Sequence, residues 1–262
     1  MSEIKLLQGD CLELMKQIFE KSIDLVITDL PYGTTRCSWD SVLPFESVWG
    51  GLNRIVKENT AILLFGQEPF STLLRMSNLK NYKYDLIWKK EQGTNFALSH
   101  KMPLRITENI SVFYQKLPKY HFEGEKLEKP SFHALPVIKS DSNFISNKNI
   151  DEDGNRIYKF YEYKTKTNFL EFSRDAECFH PTQKPIKLLK YLIETYSDEG
   201  DTVLDITMGS GSTGVACKLT NRNFIGMELD KNYFEIAKQR IENGFVQENI
   251  TDDELNSLPL FL

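Results

Sequence analysis

An acidic residue, a proline and a tyrosine stand close together at the end of an apolar run, in the tetrad Asp29, Leu30, Pro31 and Tyr32. A carboxylate can accept a hydrogen bond from a substrate, and a tyrosine ring can stack on a planar one. Pro31 fixes its own φ and stiffens the turn. Residues 23–28 are rich in branched apolar side chains, which predicts a strand buried on both faces. The tetrad therefore follows the carboxyl end of a strand, where open parallel sheets bind ligands.

A glycine loop at residues 208–214, with the sequence Met-Gly-Ser-Gly-Ser-Thr-Gly, is the second candidate for chemistry. Glycines let the backbone approach a ligand closely, and the helix predicted after the loop offers free amide donors. Glu228 ends the next predicted strand, 23 residues after Asp205. A carboxylate at that place can hold both hydroxyls of a ribose, which suits an adenosyl cofactor and also NAD. A nicotinamide oxidoreductase is therefore one alternative, although its loop would usually open the chain.

Three segments resemble motifs of the amino-group DNA methyltransferases. The tetrad at 29–32 resembles their Asp-Pro-Pro-Tyr turn, and His-Pro-Thr-Gln-Lys-Pro at 180–185 matches a hexapeptide that precedes their cofactor loop. Residues 205–213 resemble Asp-Pro-Phe-Met-Gly-Ser-Gly-Thr-Thr, from which Ile206 and Thr207 depart. The turn precedes the glycine loop, as in the permuted β group of this family. The resemblance covers nearly the whole chain outside 116–179.

The resemblance implies methyl transfer from S-adenosylmethionine to the exocyclic N6 of adenine in DNA, without a metal. Asp29 and the backbone carbonyl of Leu30 would accept hydrogen bonds from the target amine, and Tyr32 would stack on a base that has left the duplex. Thr182 and Lys184 are candidates for the methionine carboxylate, and Asp10 for the adenine. The full expected set of cofactor contacts is Asp10, Cys11, Thr182, Lys184, Asp205, Thr207, Gly209, Ser210, Gly211, Thr213 and Glu228.

Short apolar strands alternating with helices predict an α/β fold with right-handed crossovers. With the resemblance, we expect a Rossmann-like methyltransferase fold, a mostly parallel seven-stranded sheet with helices on both faces. Residues 1–115 would form the catalytic part and 180–246 the cofactor-binding part of one domain. Residues 116–179, where the alternation breaks, would be an inserted target-recognition region, and 247–262 a tail.

Composition indicates an ordinary soluble chain, with 40% hydrophobic and 26% charged residues and a net charge of −5. No signal peptide or membrane-length apolar run is present, and four dispersed cysteines suggest reduced thiols, so we expect a cytoplasmic protein. Residues 80–105 hold six basic against two acidic side chains. A solvated surface explains such a run as well as DNA does. The candidates for DNA contact are Lys89, Lys90, Lys101 and Arg105 for phosphates and Lys164, Lys166 and Asn168 for target recognition.

Other functions stay open on the sequence alone. The same enzyme could act on cytosine N4 or on RNA, and a catalytically silent nucleic-acid-binding module is an alternative from another class. The expected partner is double-stranded DNA with a flipped target base. The sequence leaves open a homodimer and a cognate restriction endonuclease.

Overall fold

The structure, a computed structural model, describes residues 2–33, 42–94, 96, 99–134, 158–176, 179 and 182–243. The chain divides into two compact units. Unit 1 combines the chain before His121 with the chain after Thr167, and unit 2 is His121–Thr167. The first two residues of the predicted hexapeptide, 180 and 181, and the predicted tail lie outside the described residues.

The described strands and helices follow one another with bounds that mostly match the predicted alternation. In chain order the strands are β1 (Ile4–Gln8), β2 (Ile23–Thr28), β3 (Val56–Gly66), β4 (Tyr82–Thr94), β5 (Arg105–Phe113), β6 (Glu123–Ala134), β7 (Tyr158–Thr165), β8 (Phe169–Glu171), β9 (Thr202–Asp205) and β10 (Asn223–Glu228). The helices are α1 (Cys11–Leu14), α2 (Phe45–Ile55), α3 (Phe70–Ser77), α4 (Ile186–Tyr196), α5 (Ser212–Leu219) and α6 (Lys231–Glu242), and a 3₁₀ turn spans Met15–Gln17.

Unit 1 contains an eight-stranded sheet in the order β1-β10-β9-β2-β3-β5-β4-β8. The first five strands are mutually parallel, β5 runs antiparallel to both of its neighbours, and β8 pairs parallel with β4. The predicted fold class is confirmed, with one strand more than expected. That extra strand, β8, has three residues, too few to show a periodic pattern.

The central strands are buried on both faces, as their branched apolar residues predict. Leu25 and Ile27 of β2 pack in a core with α4, α5 and α6, whereas Val26 packs in a second core with α1, α2 and α3. Neighbouring strand residues point to opposite faces, so one strand serves both cores. The sheet is thereby held rigidly between two helical layers.

The parallel pairing brings four strand ends to one edge of the sheet. Gln8 pairs with Glu228, and Gly226 pairs with Asp205. Because β2 lies beside β9, the tetrad after β2 leaves the same edge. This is the edge at which open parallel sheets place their ligands.

Unit 2 contains the antiparallel pair of β6 and β7. Its bounds are narrower than the region predicted as an insertion, 116–179, and the role of that region stays a prediction. No helix in the described part of the chain is both long and apolar enough to cross a membrane.

Candidate active site

A cavity of about 380 Å³ opens at the carboxyl edge of the sheet in unit 1. This size is within the range typical of small-molecule sites. The cavity brings together most of the predicted site residues. They are Asp10, Cys11, Asp29, Leu30, Pro31, Tyr32, Thr182, Lys184, Asp205, Thr207, Gly209, Ser210, Thr213 and Glu228.

The turn after β2 presents Asp29 and Tyr32 side by side. The Tyr32 hydroxyl donates to Oδ1 of Asp29, and its ring packs on Phe70 with the centroids 4.7 Å apart. Leu30 is buried beneath the turn. Burial and the carboxylates of Asp29 and Glu108 raise the pKa of Tyr32 well above its ordinary value, so the phenol stays a donor.

The carboxylate of Glu228 accepts hydrogen bonds from two backbone amides, one of them in the glycine loop. The Gly209 amide donates to Oε2 over 2.9 Å, and the Asp230 amide donates to Oε1 over 2.8 Å. Gly211 has φ +80°, and a Cβ built there would lie 2.8 Å from Cβ of Ala237. A larger residue at 211 would therefore push the loop away from α6. Burial raises the pKa of Glu228 despite these amides.

Asp205, at the end of β9, joins the glycine loop to the strand of the catalytic turn. It accepts hydrogen bonds from the hydroxyls of Thr28 and Thr213 over 2.8 and 2.7 Å, and from the Thr207 amide over 3.1 Å. The Thr207 hydroxyl in turn donates to the backbone carbonyl of Asp29 over 2.9 Å. Burial raises the pKa of Asp205 to about 6. Thr207 thus connects the loop to the turn.

Asp10 and Cys11 lie at the start of α1 on the far side of the cavity. Asp10 caps this helix, because its Oδ1 accepts from the Leu12 amide over 2.8 Å. The Cys11 thiol is buried, and burial raises its pKa to about 12. Cys11 is therefore a neutral wall of the cavity rather than a nucleophile.

A cluster of four charged side chains lies beneath the turn. Lys184 donates to Oδ2 of Asp29 and lies 3.1 Å from Oε1 of Glu108. The Lys90 ammonium contacts the other oxygen of Glu108 over 2.6 Å. Burial alone would raise the pKa of Glu108, but the two ammonium groups hold it below its ordinary value. Glu108 is therefore ionised although only 3% of its side chain is exposed.

This cluster corrects the expected role of Lys90, and it bears on the expected role of Lys184, which stays a prediction. Lys90 was expected on the DNA surface, but its side chain is buried and paired with Glu108, so it is not available to a phosphate. Lys184 was expected to hold a methionine carboxylate. Its three ammonium hydrogens are matched by acceptors on Asp29, Glu108 and the Thr182 carbonyl instead, and it would have to give up one of them.

The other predicted DNA contacts are spread over both units. Lys101 is exposed, whereas Lys89 is partly buried, with 41% of its side chain exposed, and pairs with Glu171 over 3.0 Å. Arg105 is half-buried and donates to Gln67 over 3.0 Å. Lys164 is exposed and Lys166 half-buried in unit 2, whereas Asn168 belongs to unit 1 and donates to the carbonyl of Asp85 over 3.3 Å. Lys89 and Lys101 fit the predicted phosphate contact best.

Among the residues at the site that were not predicted, two are charged and buried. One is Glu108, which lies just before the strand that the sequence pattern indicated. The other is Arg240 of α6, whose buried guanidinium donates to the Ser210 carbonyl over 2.6 Å and to the Ser210 hydroxyl over 2.9 Å. A charged residue inside an apolar pattern was the available signal for both.

The chemistry of the cavity fits an adenosylated cofactor. The glycine loop and the buried Glu228 carboxylate form one end, and the polar turn with Asp29 and Tyr32 forms the other. Among the described residues no group of His, Cys, Asp and Glu could hold a metal ion. Gly209, Gly211 and Gly214 also follow dinucleotide spacing, so the loop alone does not distinguish this cofactor from NAD. The arrangement of these two ends fits an enzyme that uses a nucleoside-containing cofactor and binds its second substrate at the turn.

Comparison with known proteins identifies the class. A model of the N6/N4 methyltransferase family, described as DNA methylase, matches residues 23–239, and the chain belongs to this family. The type II methyltransferase M.HpaI of Haemophilus parainfluenzae is 28% identical over 273 residues, which covers 97% of this chain and 79% of M.HpaI. The DNA adenine methyltransferase YhdJ of Escherichia coli (strain K12) is 26% identical over 254 residues, with 90% and 82% covered.

A solved structure supports the same assignment. The crystal structure of the M1.HpyAVI–SAM complex is 25% identical with a TM-score of 0.61, and the match covers 90% of this chain and 99% of that one. Membership of the family confirms the predicted enzyme class, and with it S-adenosylmethionine as the methyl donor. The oxidoreductase and the silent binding module therefore have no support.

Proposed function

We propose that this protein methylates the exocyclic N6 of adenine at a specific site in double-stranded DNA. The observation that carries the proposal is the ionisable carboxylate of Asp29 in the cavity that the glycine loop and Glu228 also line. An acid at position 29 is typical of the adenine-specific members of the family. The relative YhdJ is named as a DNA adenine methyltransferase.

The cofactor residues would each hold a defined part of S-adenosylmethionine. Glu228 would present its carboxylate to the ribose hydroxyls, Asp10 would contact the adenine, and Gly209 would let the backbone approach, while Gly211 lets the loop pack closely on α6. Ser210, Thr213, Thr182 and Cys11 complete the wall, and Asp205 with Thr207 holds the loop in place. When bound, the cofactor supplies an electrophilic methyl group on a sulfonium.

The residues of the turn would prepare the acceptor. The lone pair of an exocyclic amine is delocalised into the ring, so the nitrogen is a poor nucleophile. Asp29 and the Leu30 carbonyl each accept one N–H, which favours a pyramidal nitrogen and localises the lone pair. Pro31 holds the turn rigid, and Tyr32 stacks on the base, which must leave the duplex to reach the cavity. Catalysis is then mainly positioning, aided by the negative charge of Asp29.

The DNA contacts are proposed by place and charge. Lys89, Lys101 and Arg105 lie on β4, on β5 or between them and would meet phosphates. Lys164 and Lys166 of unit 2 and the nearby Asn168 are candidates for target recognition. A homodimer, a cognate restriction endonuclease and a cytoplasmic location stay predictions.

The experiment is a product analysis. Purified protein is incubated with S-adenosylmethionine and DNA from a methylation-deficient host, and the nucleosides are separated by mass spectrometry. We expect N6-methyladenine, formed at one sequence when the DNA is read by modification-sensitive sequencing, and far less of it with Asp29→Ala in the same incubation time. Formation of N4-methylcytosine would show that cytosine, not adenine, is the target. Methylation of RNA but not of DNA would refute the proposal.

A further inference from the structure

Lys184 is the centre of the buried charge cluster. Its side chain is 9% exposed, and its ammonium donates to Asp29 and to the carbonyl of Thr182 while lying 3.1 Å from Glu108. The ring of Phe65 lies 5.0 Å away on another side. With three acceptors for three hydrogens, Lys184 has one defined orientation. It therefore fixes the position of Oδ2 of Asp29.

Glu108 contacts two ammonium groups. One is that of Lys184, which also contacts Asp29, and the other is that of Lys90. Two carboxylates and two ammonium groups give the cluster a net charge of zero. The Tyr32 hydroxyl, which donates to Oδ1 of Asp29, lies 3.4 Å from Glu108 as well. Glu108 thus contacts the partners of both Asp29 oxygens. It lines the cavity, yet only 3% of its side chain is exposed.

We propose that Glu108 is a positioning residue for methyl transfer, which acts through Lys184 to fix the Asp29 carboxylate and to keep its negative charge available to the target amine. This inference rests on the proposed function, because it assigns a role in the same reaction. Lys90 is the counter-ion that makes a buried Glu108 tolerable.

The electrostatic reason lies in what Lys184 would do alone. An ammonium paired only with Asp29 would neutralise that carboxylate, and a neutralised carboxylate is a weaker acceptor for an amine that becomes positive. Glu108 draws part of the Lys184 charge to itself. Replacement of Glu108 by Gln keeps the shape but leaves one unbalanced positive charge next to the nitrogen that must become cationic. The chemical step is then opposed, whereas the ribose end of the cavity is untouched.

The pH dependence distinguishes this role from a packing role. The charged or titratable groups facing Asp29 are Lys184, Glu108, Tyr32 and Asp205, with Lys90 behind Glu108. Burial raises the pKa of Asp29, Lys184 opposes the rise, and Glu108 adds to it. Loss of the Glu108 charge therefore lowers the pKa of Asp29 and moves the acid limb of the rate profile to lower pH. Damage that displaced Lys184 would move the limb to higher pH.

The test compares Glu108→Gln with wild type in single-turnover methylation at saturating cofactor and DNA. We expect a rate roughly 10- to 100-fold lower, the loss typical of supporting residues that orient a reactive group. Cofactor affinity by calorimetry should stay within about twofold, which also shows that the site is folded. Glu194→Gln, the same change on the exposed face of α4, should be neutral in both measurements.

A second substitution restores the charge balance. In Glu108→Gln combined with Lys90→Met the cluster is neutral again, and we expect the double variant to be faster than Glu108→Gln alone. Glu108→Asp keeps the charge with a shorter reach, and it should be faster than Glu108→Gln with the acid limb unmoved. If Glu108 had only a structural role, the rate losses of the two substitutions would add, and the double variant would be slower than Glu108→Gln.

The inference is overturned if Glu108→Gln methylates at the wild-type rate. It is also overturned if the variant loses cofactor affinity and rate together, if the acid limb moves to higher pH, or if the double variant is slower than the single one. If Glu108→Gln does not fold, Glu108→Asp provides the test. We expect the acid limb of its rate profile to stay at the wild-type pH, and a shift to higher pH overturns the inference. A wild-type protein that forms no methylated base would instead refute the proposed function.

Discussion

Asp29, Asp205 and Glu228 are carboxylates on one sheet edge, of which Asp205 and Glu228 are buried and Asp29 is half-buried, and their partners differ in kind. Asp205 is satisfied by two hydroxyls and an amide, and Glu228 by two backbone amides. Asp29 alone of these three contacts an ammonium group, Lys184. Neutral donors hold a carboxylate in place, whereas an ammonium also stabilises its charge. This difference supports the proposed roles, in which Asp205 and Glu228 serve binding and Asp29 serves the chemical step.

Removal of the Asp29 carboxylate should affect the chemical step far more than binding. The stabilisation that this carboxylate gives increases as the amine nitrogen becomes positive. Its loss therefore destabilises the transition state more than the ground state. We expect Asp29→Ala to lower the single-turnover rate on the order of 10²–10³-fold, about 2.7–4 kcal/mol, by analogy with loss of one preorganised polar group. Asp29→Asn keeps one acceptor oxygen without the charge and should lose less. A near wild-type rate for Asp29→Ala with cofactor bound would remove Asp29 from the mechanism.

Glu228 should act on the cofactor alone. Its carboxylate would accept charge-assisted hydrogen bonds from the ribose, and such bonds contribute roughly 1.5–3 kcal/mol. Glu228→Ala is expected to weaken cofactor binding in calorimetry about tenfold or more. Glu199→Ala, an exposed glutamate in the same unit, is the matched control. Unchanged affinity would show that another group holds the ribose.

At the scale of elements, α6 supports the glycine loop from behind. The loop packs against Ala237 at Gly211, and Arg240 reaches from the last turn of the helix to Ser210 and, over 3.3 Å, to the Ser212 hydroxyl. The Arg240 guanidinium also lies 4.8 Å from the ring of Phe179. One helix therefore sets the position of the loop backbone that the cofactor is expected to meet.

Arg240→Met should loosen the loop without touching the cofactor directly. Methionine fills much of the same volume but cannot donate to the Ser210 carbonyl, which loses a charged donor. We expect cofactor affinity to fall roughly tenfold, since a hydrogen bond from a charged group contributes about 1.5–3 kcal/mol. Lys238→Met, on the exposed face of the same helix, should bind as wild type does. Equal affinities for the two variants would mean that α6 does not position the loop.

The sequence predicted those elements whose signal is local. The turn at Asp29 and the glycine loop are continuous segments that follow apolar strands, so pattern and resemblance both locate them. Glu108 and Arg240 were not predicted as site residues, because their partners are distant in the chain and no periodicity links them. A buried Glu is tolerated only with compensating cations, here Lys90 and Lys184, and that compensation exists only in the folded protein.

The difference between Lys89 and Lys90 has the same origin. Adjacent residues in a strand point to opposite faces, so a count of basic residues cannot tell which of the two reaches solvent. On β4, the Lys89 side chain is partly exposed beside Glu171, while Lys90 is buried beside Glu108 and lies 5.1 Å from the Trp88 ring. The sheet, rather than the local charge, decides which lysine can meet DNA.

At the scale of the whole molecule, DNA affinity should depend on Lys89 and Lys101 of unit 1. Each phosphate contact releases counterions, so Lys89→Ala with Lys101→Ala should weaken binding to all DNA sequences similarly and reduce the salt slope by about one per lysine. Fluorescence anisotropy between low and high salt measures this slope. Lys187→Ala, an exposed lysine on α4, is the control. A change in the methylated sequence would contradict the assignment of these lysines to phosphates.

Unit 2 should determine which sequence is methylated, because the cavity with its turn and glycine loop is lined by residues of unit 1 alone. Base edges are distinguished by side chains that reach into a groove, whereas phosphate contacts carry no sequence information directly. We expect exchange of His121–Thr167 for the matching segment of a relative with a different target to change the methylated site while the product stays N6-methyladenine. Modification-sensitive sequencing reports the site, mass spectrometry the base, and calorimetry verifies that the cofactor still binds. A chimera that binds cofactor and methylates the original site would place target recognition in unit 1, with Lys164 and Lys166 reduced to solvated surface residues.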